Sequence, residues 1–146
     1  MLIREIENAD LQGLLSLYTH LHDNEILPLD DKTKALWCEI MNDPNHHIVV
    51  GVEAEKIIAS CVLVIVPNFT HNRRPYALIE NVLTHSAYRG KGYGTQILNH
   101  AKMLAAHRNC YKIMLMTGSQ EPATLAFYER AGYNQRDKTA FIQWLE

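Results

Sequence analysis

The apolar positions along this chain change period several times, and each change marks an element. Leu2 to Ile6 reads as a first strand. From Leu11 the spacing turns helical: Leu11, Leu14, Leu15, Tyr18 and Leu21 share one face, and Asn8 or Asp10 is placed to cap the start. This helix is predicted to run to about His22. The segment Ile26 to Asp30, which holds Pro28, interrupts it. A second helix is predicted from Asp31 to about Met41, with Leu36, Trp37 and Ile40 apolar. Asn42-Asp43-Pro44-Asn45 reads as a turn. His47 to Val52 and Ile57 to Val66 then read as two strands, with Glu53 to Lys56 as the hairpin turn between them.

Beyond a polar, basic loop from Pro67 to Arg74, the run Tyr76 to Thr84 predicts a fourth strand. A helix is predicted from Gly92 to about Arg108, and a strand from Cys110 to Thr117. Pro122 suits the first turn of a last helix running to Ala131, with Gly132 as its terminator. Thr139 to Leu145 predicts a final strand. Strands first and then β-α-β-α-β predict an α/β (α+β) fold, a three-layer α/β/α domain with a mixed central sheet. At 146 residues, a single domain over 1–146 is expected.

Composition narrows the function classes. Net charge is −2, from 14 basic and 16 acidic residues, which favours neither nucleic acid nor a membrane surface as partner. The longest apolar stretch, Ile57 to Val66, is too short to span a bilayer. Met1-Leu2-Ile3-Arg4-Glu5 does not begin a signal peptide. Cys38, Cys61 and Cys110 are widely spaced and read as reduced thiols, so a cytoplasmic protein is expected. His20 and His22 fall on different helix faces, and His46 and His47 on opposite strand faces, so no metal site is expected.

The densest chemistry lies at Arg89-Gly90-Lys91-Gly92-Tyr93-Gly94-Thr95, between a predicted strand and a predicted helix. Alternate glycines let the backbone turn sharply and approach a ligand closely. The first N–H groups of the helix have no partner within it, and the helix dipole is positive there. Arg89 and Lys91 add charge, and Thr95 adds a donor. The stretch therefore reads as a turn for an anion such as a diphosphate. It fits neither a P-loop, because glycine follows Lys91, nor a dinucleotide fingerprint, because the third glycine comes one residue early.

Arg89-x-x-Gly92-x-Gly94 resembles the signature with which the GNAT N-acetyltransferase family holds the pyrophosphate of acetyl-CoA. Phe127-Tyr128-Glu129-Arg130-Ala131-Gly132-Tyr133 resembles a second segment of the same family. Ile79-Glu80-Asn81-Val82, Tyr88 to Gly92 and Cys110 to Leu115 are locally most similar to glucosamine-6-phosphate N-acetyltransferases, although those enzymes tend to carry Asp where Asn81 stands. The likeness covers roughly residues 77 to 133. It implies acetyl-CoA as the co-substrate, held by the backbone of Val82, Leu83 and Thr84 and by Arg89, Gly90, Lys91, Gly92, Tyr93, Gly94 and Thr95. It also implies Tyr128 as the acid that protonates the departing thiolate, which the nearby pKa values of phenol and thiol permit. Many members carry an Asn near the start of that helix, and Glu121 takes the corresponding place here.

Glu80 stands out within its strand. Simple alternation puts Leu78, Glu80, Val82 and Thr84 on one face and Ile79, Asn81 and Leu83 on the other. A carboxylate there is costly unless used or paired. Two readings stay open: a general base that partial burial tunes towards neutrality, or an ion pair with Arg73 or Arg74. His71-Asn72-Arg73-Arg74 would suit an anionic acceptor, whereas Tyr18 to Glu25, with Asp23 and Glu25, would suit a cationic one. The function expected is transfer of acetyl from acetyl-CoA to the primary amine of a small-molecule acceptor. Two alternatives are a non-catalytic acyl-CoA-binding or regulatory domain and a protein N-acetyltransferase. An exposed last strand, Ala140 to Leu145, would offer an edge for a homodimer.

Overall fold

The computed structural model describes residues 1–21 and 25–146, so His22 and Asp23, counted above in the first helix and the acceptor segment, lie outside the described residues. The strands are β1 (Leu2–Glu5), β2 (His46–Glu53), β3 (Lys56–Val66), β4 (Tyr76–Thr84) and β5 (Ile113–Leu115). The helices are α1 (Leu11–Tyr18), α2 (Asp31–Asn42), the one-turn segment α3 (Thr70–Arg73), α4 (Tyr93–His107) and α5 (Pro122–Arg130). The chain divides into two compact units, Met1–Leu115 and Met116–Glu146.

In the first unit the strands form one sheet in the order β1-β2-β3-β4-β5. Neighbours run antiparallel except β4 and β5, which run parallel, so the sheet is mixed as expected. Ala54 and Glu55, with φ of 48 and 61, turn the β2–β3 hairpin in the left-handed region that tight hairpins use. Leu14 of α1 and Trp37 of α2 pack with Ile48, Val50 and Val62 on one sheet face. The alternate residues Val49, Leu63, Ile65, Ala77 and Ile79 are buried on the other face, which α4 covers with Ile97, Leu98, Ala101 and Ala105. Helix, sheet and helix make the three layers.

Both ends of α1 depart from expectation. Its last residue is Tyr18, and Thr19, His20 and Leu21 continue only in short backbone turns. Asp10 stands at the N-terminus but caps nothing in α1; its carboxylate accepts from Glu7 N at 2.7 Å and from two nitrogens of Arg4 at 2.6 and 3.1 Å. The expected loop before β4 contains α3, where His71, Asn72 and Arg73 all have positive φ. β5 is also shorter than the apolar run that predicts it, and pairs only through Ile113, Met114 and Leu115.

The largest departure inside the sheet is in β4. Glu80 pairs with Val62 and Leu83 with Ser60, so two residues of β4, Asn81 and Val82, stand opposite Cys61 alone. This is a β-bulge, and Asn81 enters it with φ of 51. A left-handed residue with a side chain costs about 1–2 kcal/mol, which Asn tolerates better than most. Residues directly opposite each other share a face. Leu78 and Glu80 therefore face the α1/α2 layer with Val64 and Val62, and Leu83 joins them opposite Ser60. Thr84, opposite Ala59, turns to the other face. The simple alternation across Glu80 to Thr84 is thus wrong, because the bulge shifts its phase by one residue.

The second unit is built on α5, with Pro122 in its first turn as expected. Gly132, at φ of 94, ends the helix, and Tyr133 N returns a 3.0 Å bond to Tyr128 O. The expected last strand, Thr139 to Leu145, is not formed. Phe141, Trp144 and Leu145 are 91%, 74% and 95% exposed. Alternating apolar residues favour a strand only when a neighbour supplies the ladder, and among the described residues none pairs with this stretch. The strand edge proposed for a homodimer is therefore absent from the fold.

Candidate active site

The site grows from the end of β4. Pairing with β5 stops at Ile79 opposite Leu115, while β4 continues to Thr84. Beyond Ile79, the backbone groups of β4 that face the β5 side have no strand partner among the described residues. An extended ligand can pair there as an added strand would. Val82, Leu83 and Thr84 supply this edge, with Leu83 buried and the other two half-buried. The side chain of Arg89 reaches back, its Nε donating to Thr84 O at 3.1 Å. Arg89 thus ties the turn to the strand as well as carrying charge.

A short 3-10 turn, Ser86–Tyr88, leads to the glycines. Gly90 and Gly92 have φ of 76 and 77, and nothing of the protein lies within 4 Å of where a Cβ would sit on either. Their glycine identity answers the left-handed backbone and leaves open space above it. Gly92 is the N-cap of α4 and no side chain caps the helix. Gln96 N is the first to bond back, to Gly92 O at 3.2 Å. The N–H groups of Tyr93, Gly94 and Thr95 are left for an anion, with Lys91 exposed beside them and 5.2 Å from the Tyr88 ring centre.

Glu80 sits just before the bulge and is exposed, not partly buried as its strand position suggests. Among the described residues it forms no ion pair. Arg74, one of its candidate partners, donates instead to the carbonyls of Asn109 and Cys110 at 3.1 and 3.2 Å. A carboxylate with no cation to satisfy keeps its lone pairs for a ligand or water.

On the same sheet face, Tyr18, the last residue of α1, packs against the cluster of Leu14, Trp37, Ile48, Val50 and Val62. Burial chiefly raises its pKa, against the pull of the Ser60 and Asn81 side chains. The Ser60 oxygen is buried and reaches no well-formed hydrogen bond. In the sequence Tyr18 belongs to the apolar face of the first helix and opens the Tyr18 to Glu25 acceptor segment, and nothing marks Ser60.

The two expected acceptor subsites fare differently. His71 stacks on Tyr111 at 3.7 Å between ring centres and Arg74 holds carbonyls, so two members of the basic loop are engaged in structure. From the Tyr18 to Glu25 segment, His20 packs against His85 at 4.1 Å. Burial chiefly, then the charges of His20, Lys56 and Arg89, lowers the His85 pKa, and its Nδ1 accepts from Ala87 N at 3.2 Å. A basic cluster thus borders the end of β4.

Tyr128 belongs to the second unit, on α5, with its ring 4.9 Å from Phe127 and 6.3 Å from Tyr133. Glu121 is the N-cap of that helix and its backbone N–H is taken by Ser119 Oγ at 3.2 Å. Cys61 is buried and its thiol is pushed up to about 12, so at neutral pH it is a protonated core group. Among the described residues no cluster of His, Cys, Asp or Glu is placed to hold a metal ion, and no helix is long and apolar enough to cross a membrane.

A family model described as the acetyltransferase (GNAT) family matches residues 14–133. A structure from Agrobacterium tumefaciens str. C58, assigned as an acetyltransferase, is 40% identical, with coverage of 99% of this chain and 100% of that one and a TM-score of 0.91. A Bacillus halodurans C-125 structure described as a transcriptional regulator is 29% identical, with 98% and 99% coverage and a TM-score of 0.86. The glucosamine 6-phosphate N-acetyltransferase of Trypanosoma brucei brucei is 27% identical over 144 residues, 93% of this chain and 90% of that one. This chain therefore belongs to the acetyltransferase (GNAT) family and is an N-acetyltransferase.

Proposed function

We propose that this enzyme carries acetyl from acetyl-CoA directly to the primary amine of a small molecule, with both substrates bound together. The observation that carries this is the sequence of an unpaired β4 edge and an uncapped helix start with no break between them. The edge suits the pantetheine arm with its two amides, and the helix start suits the diphosphate. Family members use acetyl-CoA as co-substrate. We read the two units as parts of a single domain over 1–146, since the family match crosses their boundary at Leu115 and Met116. The free cysteines support a cytoplasmic setting.

In this reading, the exposed Glu80 takes a proton from the acceptor ammonium, directly or through water. The freed nitrogen lone pair attacks the thioester carbonyl carbon, and the C=O electrons move onto oxygen. β4 backbone N–H groups at the bulge stabilise that oxyanion. The tetrahedral centre collapses as the oxyanion electrons re-form the C=O and the C–S bond breaks, and the nitrogen's second proton passes to water, from which Tyr128 regains the proton it gives up. Tyr128 gives its hydroxyl proton to the departing thiolate, a role that rests on the likeness of Phe127-Tyr128 to the family segment.

A phosphorylated amino sugar is the first acceptor to try, since the relative from Trypanosoma acts on glucosamine 6-phosphate and a basic cluster borders the end of β4. The full chain with acetyl-CoA should be offered glucosamine 6-phosphate, other amino sugars, polyamines and peptides, with thiol release as the signal. Turnover with a small amine is the expected result. Acetylation confined to peptides would overturn the small-molecule assignment.

A further inference from the structure

Two strands that the sequence predicts fall short in the same way. The apolar run Cys110 to Thr117 yields only β5, whose three residues are half-buried, and Met116 just beyond it is exposed. The run Thr139 to Leu145 yields no strand. A strand forms along its full length only where a neighbour supplies the ladder. β5 stands last in the sheet order, and among the described residues no backbone group bonds to its outer edge. Each stretch therefore lacks a neighbour of the kind that the other provides.

The side chains of the tail say what sort of slot it fits. In an extended chain Phe141 and Leu145 fall on one face, with Gln143 between them, and Ile142 and Trp144 fall on the other. All four apolar residues are exposed. A stretch that rests on a membrane or on another protein's surface needs one apolar face and one polar face. Apolar residues on both faces suit a strand within a sheet that is covered on both sides. The sheet here is covered in that way, by α1 and α2 on one face and by α4 on the other.

A second copy is the partner for which both halves are already present. Each chain carries one unpaired tail and one unpaired β5 edge. A two-fold exchange satisfies both in each copy and closes on itself. Phe141 and Trp144 alone offer ~150–250 Å² each. Two tails, with the surfaces they cover, therefore exceed the ~1,200 Å² at which specific interfaces begin.

We infer that this protein forms a dimer by strand exchange, in which Thr139 to Leu145 of each copy adds to the outer edge of β5 of the other. The added strand extends the pairing of β5 along the run Cys110 to Thr117 and covers its exposed end at Met116.

The test uses the full chain. Sedimentation velocity at micromolar concentration should give twice the mass of one chain. Hydrogen exchange should show the amides of Ala140 to Leu145 and of Ile113 to Thr117 protected together. Nitrogen-15 and natural-abundance chains, mixed in urea and refolded together, are then treated with an amine-reactive cross-linker. Lys112 flanks β5 and Lys138 flanks the tail, so Lys112–Lys138 cross-links should join a heavy chain to a light one.

Ile142→Pro removes a ladder donor from the tail, and Phe141→Ser with Trp144→Ser removes its apolar surface. These side chains are exposed in the single chain, so neither change strains its fold. Each should lower the mass to that of one chain and release the protection of both stretches. A wild-type chain that is monomeric at micromolar concentration overturns the inference, even where its tail binds vesicles or another protein. A dimer that keeps its mass in both variants, or that yields no heavy–light cross-link between Lys112 and Lys138, overturns it as well. Should either variant fold poorly, the heavy–light cross-link in the wild-type chain decides alone.

Discussion

The Tyr93 hydroxyl donates a 2.8 Å hydrogen bond to Glu53 Oε2. It joins the first residue of α4 to the last residue of β2, and so braces the anion turn against the β2–β3 hairpin. Chiefly through this bond, Glu53 raises the Tyr93 pKa above its ordinary value, so the hydroxyl keeps its proton at neutral pH. Tyr93→Phe should loosen the turn. Calorimetry should show acetyl-CoA binding a few-fold weaker, with the effect in affinity more than in kcat at saturating donor.

Gly94 tests the turn more cleanly than its neighbours do. Gly90 and Gly92 have positive φ, so a side chain there strains the backbone whatever ligand binds. Gly94 lies within the first turn of α4. Gly94→Val should lower acetyl-CoA affinity by about ten-fold or more by blocking close approach, with circular dichroism unchanged. Undiminished affinity would move the diphosphate elsewhere.

Among the described residues Glu80 forms no ion pair, so Glu80→Gln should leave the melting temperature close to wild type. Acetyl transfer at neutral pH should drop by ~10²-fold or more, the scale of a lost general base. Activity should partly recover at higher pH, where more of the acceptor amine is already neutral. A large fall in melting temperature with unchanged turnover per folded molecule would make the carboxylate structural.

Tyr128→Phe keeps the ring and its packing beside Phe127 and Tyr133. If the hydroxyl protonates the thiolate, single-turnover acetyl transfer should slow by ~10²–10⁴-fold. A thioester with a better leaving group needs that proton less, so it should lose less rate than acetyl-CoA. Equal wild-type and variant rates with acetyl-CoA would assign the proton to water.

The Arg4 guanidinium, bonded to both oxygens of Asp10, holds that carboxyl below the ordinary carboxylate range. A depressed pKa in the folded state means the unfolded chain binds the proton more readily. The stabilisation is therefore complete above the ordinary carboxylate value and fades as pH falls through the lower, folded value. Urea unfolding should show Asp10→Asn less stable than wild type at pH 7, with the gap shrinking as the pH is brought towards 3 and below. A gap independent of pH would exclude the charge as its cause.

Much of the fold was legible because local signals agreed with tertiary demand. Tyr76 to Thr84 and the hairpin turn at Glu53 to Lys56 follow from apolar runs and their breaks. Pro122 and Gly132 mark the ends of α5 because each has a backbone preference that no context reverses. The anion turn was legible because Gly90 and Gly92 allow the left-handed backbone that the turn into α4 uses.

What the sequence could not decide depends on neighbours distant in the chain. Thr139 to Leu145 has the alternation of a strand and, among the described residues, no partner to pair with, so pattern alone misled. The bulge at Asn81 depends on how β3 and β4 register against each other, and it reversed the face of every residue after it. Glu80 looked buried from its strand and is exposed. Local backbone preference and hydrophobic period thus determined the elements and the anion turn, since both act over a few residues. Register and exposure came only from tertiary structure, since they are set by which strand, helix or side chain lies across the gap.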